Sequence, residues 1–206
     1  MPTVLLIRHG ENDFVKKGRL AGRLPGVHLN ERGRAQAAAV ADALRPSKLT
    51  AVYTSPLDRA YETAQAVAKP HGLSVEKRQA LIESDLGDWQ GKSIAALRRK
   101  REWRTLQENP SRFRFPGGEL IVEQQARLVA EIERICAAHR AKETVAIVGH
   151  ADPFKLILAY YLGLPLDNFQ RIMLNTCSVS TLHIDKGAAR VVNVNWTAPE
   201  STKKPV

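Results

Sequence analysis

The chain has 206 residues, of which 44% are hydrophobic and 25% charged, the balance of a globular protein long enough to bury a sizeable core. Its 31 basic and 21 acidic side chains leave a net charge of +10, which composition alone cannot divide between a solvated basic surface, an anionic substrate and nucleic acid. The absence of an internal period or dominant residue excludes repeat and low-complexity classes, and the longest near-apolar stretch, LILAYYLGLPL, is too short to span a membrane.

From the N-terminus, TVLLI (3–7) reads as a buried strand. The leading MPTVLLI lacks the basic region and long apolar core of a signal peptide. Cys136 and Cys177 have no partner at metal-ligand spacing. Both features lead to the expectation of a reducing, cytoplasmic setting with no metal and no cofactor.

Residues 30–45 read as a helix with Asn30 as N-cap and Ala37, Val40, Ala41 and Leu44 on one face. LTAVYT (49–54) reads as a second strand, followed by a helix in which Ser55 caps, Pro56 occupies the first position and Asp58 completes a capping box. Gly72 ends that helix. The middle is less regular, with a helix expected near 93–108 and a long amphipathic one over 119–140. ETVAIVG (143–149) is another apolar strand, and Asp152-Pro153 reads as the cap-then-proline start of a helix reaching Gly163. SVSTLHI and RVVNVNW alternate as antiparallel or edge strands do, and 197–206 reads as a disordered tail.

Strands alternating with helices predict an α/β fold: a three-layer sandwich with a mostly parallel central sheet. The expected organisation is a single domain over 1–196, with an insertion at about 83–118 lying over the C-terminal edge of the sheet.

Three apolar strands end in unusual polar residues: Arg8-His9-Gly10, Ser55 to Arg59, and Gly149-His150. Parallel strands place their carboxyl ends on one edge, where ligands bind. Two histidines and two arginines gathered there would repel each other unless they bind an anion. Arginine offers phosphate a planar fork, a helix start adds free amides, and Gly10 would let backbone approach the ligand closely. The constellation asks for a phosphoryl group. A histidine there can be a nucleophile, and a rim carboxyl can protonate the leaving oxygen. Glu83 and Asp85 are the two candidates for that acid.

Arg8-His9-Gly10, SPLDRAYETA (55–64), ESDLGDWQGKS (83–93), FPGGE (115–119) and VGH (148–150) occur in order. On these motifs the chain resembles the histidine phosphatase superfamily, the phosphoglycerate mutase-like proteins, from residue 3 to about 185. The resemblance implies that His9 is the phosphorylated histidine, that Arg8, Arg59 and His150 complete its phosphate pocket, and that Glu83 is the general acid. It also places Gly22 where a family glycine presents its backbone to substrate, with Arg23 beside it in the same substrate-binding set as Gly10 and Asn12.

The departures point to the phosphatase branch. Mutases carry a serine and an asparagine where Asn12 and Val15 fall, and a tyrosine and a lysine where Leu86 and Ile94 fall. Asn12 can still bond a phosphate oxygen; Val15 cannot. Gly149 replaces a frequent serine, and Asp152, in HADPF, is expected to cap its helix rather than touch substrate. The implied activity is a metal-independent phosphatase working through phosphohistidine. The alternatives are a phosphoglycerate-type mutase and a non-catalytic module binding phosphorylated ligands. A small phosphorylated substrate is the expected partner, with neither nucleic acid nor membrane; the oligomeric state is open, a homodimer included. The basic run RRKREWR (98–104), with Arg112 and Arg114, reads first as a solvated face and second as a substrate attractor. Trp89 reads as packing.

Overall fold

The computed structural model describes residues 2–185 and 188–199. Among them, β1 (Thr3–Arg8), β2 (Leu49–Thr54), β3 (Val75–Lys77), β4 (Thr144–Gly149), β5 (Val179–Asp185) and β6 (Ala188–Trp196) form one sheet in the order β3-β2-β4-β1-β5-β6. The first four in that order run parallel, while β5 and β6 are antiparallel additions at one side. The two alternating C-terminal segments thus occupy the antiparallel positions their pattern predicts, and the fold is the expected α/β sandwich.

Apolar residues on both faces explain the continuous runs of the central strands. On one face Leu5, Ile7, Val52, Ala146 and Val148 pack beneath α2 (Glu31–Leu44) and α3 (Asp58–Ala68). On the other, Val4, Leu6, Tyr53, Val145 and Ile147 pack beneath α6 (Ile121–Ala137) and α7 (Ala151–Tyr161). That second core also takes Trp89, Phe113 and Phe115, so the 83–118 segment is anchored by aromatic rings packed about 5–6 Å apart. Trp89 is a packing residue, 1% exposed and stacked on Trp103.

Side-chain caps set three of the helix starts. Asn30 caps α2 by accepting from the Gly33 amide at 2.8 Å. The one-turn helix α1 (Asp13–Lys16), absent from the sequence reading, is capped the same way by Asn12, which accepts from Val15 N at 2.9 Å. The three-residue β3 also escaped notice, being too short to show a period.

The helix expected over 93–108 is two helices, α4 (Ile94–Leu97) and α5 (Arg101–Glu108). Leu97 and Leu106 are both buried, but nine residues at 100° each would set them on opposite sides of one continuous helix. The break over 98–100 lets both face the core. The long helix starts at Ile121 rather than 119, because Glu119 stays in the preceding loop, where its carbonyl accepts from Phe115 N. Residues 197–199 carry neither helix nor strand; the rest of the expected tail lies outside the described residues. No helix of the described residues is long and apolar enough to cross a membrane.

Candidate active site

The register of the central strands brings the polar strand ends together. Arg8 pairs with Gly149 across β1 and β4, and Thr54 with Val148 across β2 and β4. His9 and His150 therefore follow side by side. The His9 amide donates to Gly149 O at 2.9 Å, and the two imidazoles meet edge to face with centroids 5.2 Å apart. Arg59 reaches the same place from the first turn of α3.

His9 is 4% exposed. Its Nδ1 lies 2.7 Å from Gly10 O, and since a carbonyl only accepts, Nδ1 carries the proton and Nε2 is left with its lone pair. Burial, then the Arg59 and Arg8 charges, push its pKa well below the usual histidine range, so the ring is neutral. His150 is depressed likewise, by burial, Arg59, His9 and Arg8. Its Nε2 is bonded to Ser55 Oγ at 2.8 Å and its Nδ1 faces Glu83 Oε2 at 3.5 Å.

Arg59 is 1% exposed, buried beneath the first turn of α3. Its Nη2 donates to Gly22 O at 2.8 Å and lies 4.0 Å from Glu83 Oε2. Arg8 donates through Nη1 to Leu174 O at 2.7 Å. Arg8 Nε, Arg59 Nη1 and Asn12 Nδ2 are buried donors without a protein partner. Unpaired buried donors are costly, and three cationic or amide N–H groups beside a free imidazole nitrogen fit the oxygens of a phosphoryl group.

Glu83 is held at pH-sensitive poise. Burial, aided by Asp152, raises its carboxyl to about 7 against the opposing pull of Arg59, the Ser84 amide and Arg8. Ser84 N donates to Glu83 Oε1 at 2.9 Å, which fixes the other oxygen toward Arg59 and His150.

Several expected roles are reassigned. Ser55 does not cap α3: the helix starts at Asp58 with Leu57 at the cap, and the Ser55 hydroxyl is turned to His150. Asp152 does not cap α7 either. His150 holds that position, and Asp152 sits in the first turn, lines the pocket and pairs with Lys155 Nζ at 3.0 Å. Gly10 is required by the close approach of α2, since a Cβ there would fall 2.5 Å from Gly33 O. Gly149 is matched to Phe154, whose Cζ lies 2.8 Å from where a Cβ would be, so this glycine and that phenylalanine go together.

Arg23, grouped with the substrate-binding residues, is turned away from the pocket. Its Nε donates to Glu83 O at 2.8 Å, and its two Nη atoms reach Asp85 and Glu119 at 3.3 Å each. Glu119 also accepts from Asp85 N and from Arg127 Nη2. Gly22, lining the pocket with φ +54°, gives its carbonyl to Arg59. Adjacent residues thus tie Arg59 and the Glu83 loop into one brace. Thr63 adds a further link, accepting from Gly10 N and donating to Arg59 O. Its position four residues after Arg59 on one helix was the available signal; the Arg23–Glu119–Arg127 brace spans over a hundred residues and had none.

The pocket encloses about 410 Å³. Beyond the His9–Arg59 end its wall is Leu20, Leu86, Ile94, Trp103, Leu106 and Phe115, with Arg98, Lys155 and Gln170 at polar positions. Of the basic residues in the run 98–104, Arg98 alone lines this pocket; Arg99, Lys100 and Arg101 are exposed, and Arg104 pairs with Glu108 on α5.

The profile of the histidine phosphatase superfamily (branch 1) matches residues 4–197. Phosphoserine phosphatase 1 of Hydrogenobacter thermophilus is 31% identical over 199 residues, covering 96% of this chain and 93% of its own. Among solved structures, YhfR of Bacillus stearothermophilus superposes with a TM-score of 0.88 at 28% identity, over 97% of this chain and 99% of the other. The mycobacterial glucosyl-3-phosphoglycerate phosphatase Rv2419c, in complex with VO3, gives 0.86 at 27% identity over 96% and 100%. Motifs, fold and profile agree that the chain belongs to the histidine phosphatase superfamily, branch 1.

Proposed function

We propose that this chain is a phosphatase that hydrolyses a small phosphate monoester through a phosphohistidine on His9, with Glu83 as general acid. The observation that carries this reading is a neutral, buried His9 whose Nδ1 is tied to Gly10 O, leaving the Nε2 lone pair free in a pocket that Arg8, Arg59 and Asn12, each with an unpaired buried donor, also line. The Nε2 lone pair attacks phosphorus while the bond to the leaving oxygen breaks. Arg8, Arg59 and Asn12 bond the phosphoryl oxygens and stabilise the charge that spreads over them. Glu83, protonated below about pH 7, donates its proton to the leaving oxygen. The resulting carboxylate takes a proton from water as that water attacks the phosphohistidine. The P–N bond breaks, phosphate leaves, and both residues return to their starting states.

Hydrolysis rather than mutase transfer is supported by Leu86 and Ile94 on the pocket wall, which have no polar group with which to hold a phosphorylated intermediate in place for return transfer. A cavity of this size suits a small substrate rather than a nucleic-acid strand. Two buried free thiols, Cys136 and Cys177, suit a reducing compartment such as the cytoplasm.

A panel of phosphate monoesters that includes p-nitrophenyl phosphate, run on the native chain and on His9→Ala, tests the reading. His9→Ala is expected to lose at least about 10⁴ in kcat, and rapid acid quenching with labelled substrate should trap an acid-labile label on the native chain only. Turnover that survives His9→Ala overturns it.

A further inference from the structure

Asp152, Lys155 and Gln170 form a polar cluster whose hydrogen bonds run among themselves rather than to His9, Arg8, Arg59 or Glu83. Lys155 Nζ bonds Asp152 Oδ1 and Gln170 Oε1, each at 3.0 Å, so one helical turn of α7 is stitched to the 3₁₀ segment Leu166–Arg171. All three residues line the pocket wall alongside Leu86 and Trp103. These two bonds leave Asp152 its second carboxylate oxygen, Lys155 one N–H and Gln170 its amide NH₂.

An acceptor and donors held side by side, with their charges already neutralising each other, favour one kind of ligand group. A second anion would gain from Lys155 and be opposed by Asp152; an ammonium would meet the reverse. Either would also have to shed its hydration in a partly closed site. A hydroxyl can donate to Asp152 while accepting from Lys155 or Gln170, and costs little to desolvate.

Building on the phosphatase reading above, we propose that Asp152, Lys155 and Gln170 are specificity-determining residues that bind a hydroxyl of the leaving group, so that the substrate is the phosphate monoester of a polyol or sugar-like alcohol. The apolar wall of Leu86, Ile94 and Trp103 packs against its carbon frame.

The test compares glycerol 1-phosphate with n-propyl phosphate, which share a carbon chain and differ in hydroxyls. The native chain is expected to favour glycerol 1-phosphate in kcat/KM by about tenfold or more, the worth of a hydrogen bond to a charged group. In Asp152→Ala that ratio should fall to near one, and in Asp152→Asn to an intermediate value. A ratio between two substrates on one protein cancels a general loss of folded enzyme. Binding of the same two esters to His9→Ala and to His9→Ala/Asp152→Ala, measured by calorimetry, reads the same preference without turnover. The phosphatase reading can therefore fail while the Asp152 assignment stands, and the reverse. A native ratio near one overturns the proposal, as does a ratio unchanged by Asp152→Ala. O-phosphoserine preferred over glycerol 1-phosphate, with that preference lost in Asp152→Ala, overturns the hydroxyl assignment in favour of a zwitterionic leaving group.

Discussion

The two ends of one pocket are built differently. At the phosphate end His9, Arg59 and His150 are at most 4% exposed and emerge from strand termini or the first turn of a helix packed on the sheet. At the leaving-group end α7 supplies Asp152 and Lys155, but the rest of the wall comes from 3₁₀ turns, from the short helices α4 and α5, and from the chain after Leu166, where Met173 is 72% exposed. Sheet hydrogen bonds fix the first set within narrow limits, whereas connections can change length and composition without disturbing the core. Rigid placement serves a reaction in which charge must be met where it develops. Adaptable placement serves the choice of alcohol.

The sharpest way to break the phosphate end is Arg59→Met, which keeps bulk and removes the buried guanidinium. It is expected to lower kcat/KM for every phosphate ester by about 10²–10³, the cost of one transition-state donor. Steady-state kinetics on chemically diverse esters checks it; a loss confined to some esters would place Arg59 with the specificity wall instead.

Glu83 stands at the boundary, and its substitution should be felt unequally. Glu83→Gln is expected to cost about 10² or more on alkyl phosphates, and much less on 2,4-dinitrophenyl phosphate, whose leaving group needs no proton. The pH dependence has a definite sign. The acid must be protonated, its carboxyl is raised to about 7, and so kcat/KM of the native chain holds below that pH and falls above it. His9 is depressed and stays unprotonated through the same range. The falling limb should vanish in Glu83→Gln. Arg59, Arg8, His150 and Asp152 are the charged or titratable groups facing this carboxyl. Since Asp152 is the one that raises it, Asp152→Ala should move the limb to lower pH.

Arg23 couples the two ends, because its neighbour Gly22 holds Arg59 while its own side chain holds Glu83 and Asp85. Arg23→Ala is expected to lower kcat about tenfold on alkyl phosphates, the worth of one or two charged hydrogen bonds, with a smaller loss on aryl phosphates. That leaving-group dependence separates displacement of the general acid from a simple loss of stability. The smallest effect belongs to the wall. Ile94→Ala should alter the preference between a bulky and a slender alkyl phosphate by up to about tenfold, leaving the rate of phosphohistidine hydrolysis alone; rapid-quench measurement of the second step checks it.

The strand ends were legible because their signal is local and unusual: an apolar run that stops on Arg8-His9, another on His150, and a helix start carrying Arg59. A covered parallel sheet requires such runs, and its geometry sends their polar ends to one edge. The capping roles of Ser55 and Asp152 misled for the opposite reason. Both have cap chemistry at cap spacing, but a residue facing a buried histidine or a lysine one turn away has a competing partner that spacing does not reveal. Arg23 erred in the same direction, since its neighbour in sequence touches the pocket while its own side chain reaches Glu119, 96 residues away.

By itself, then, the amino-acid order determined the sandwich and marked His9, Arg8, Arg59 and His150 as candidates, because these follow from hydrophobic period and from residue type at a strand end or helix start, while the choice of Glu83 over Asp85 came from family resemblance. Only the tertiary structure decided what the second sphere does. The brace on Glu83, the tautomer of His9, the glycines that admit Gly33 and Phe154, and the Asp152–Lys155–Gln170 cluster all depend on contacts between segments far apart in the chain, and pairwise distance in space is the one quantity that a sequence of types does not carry.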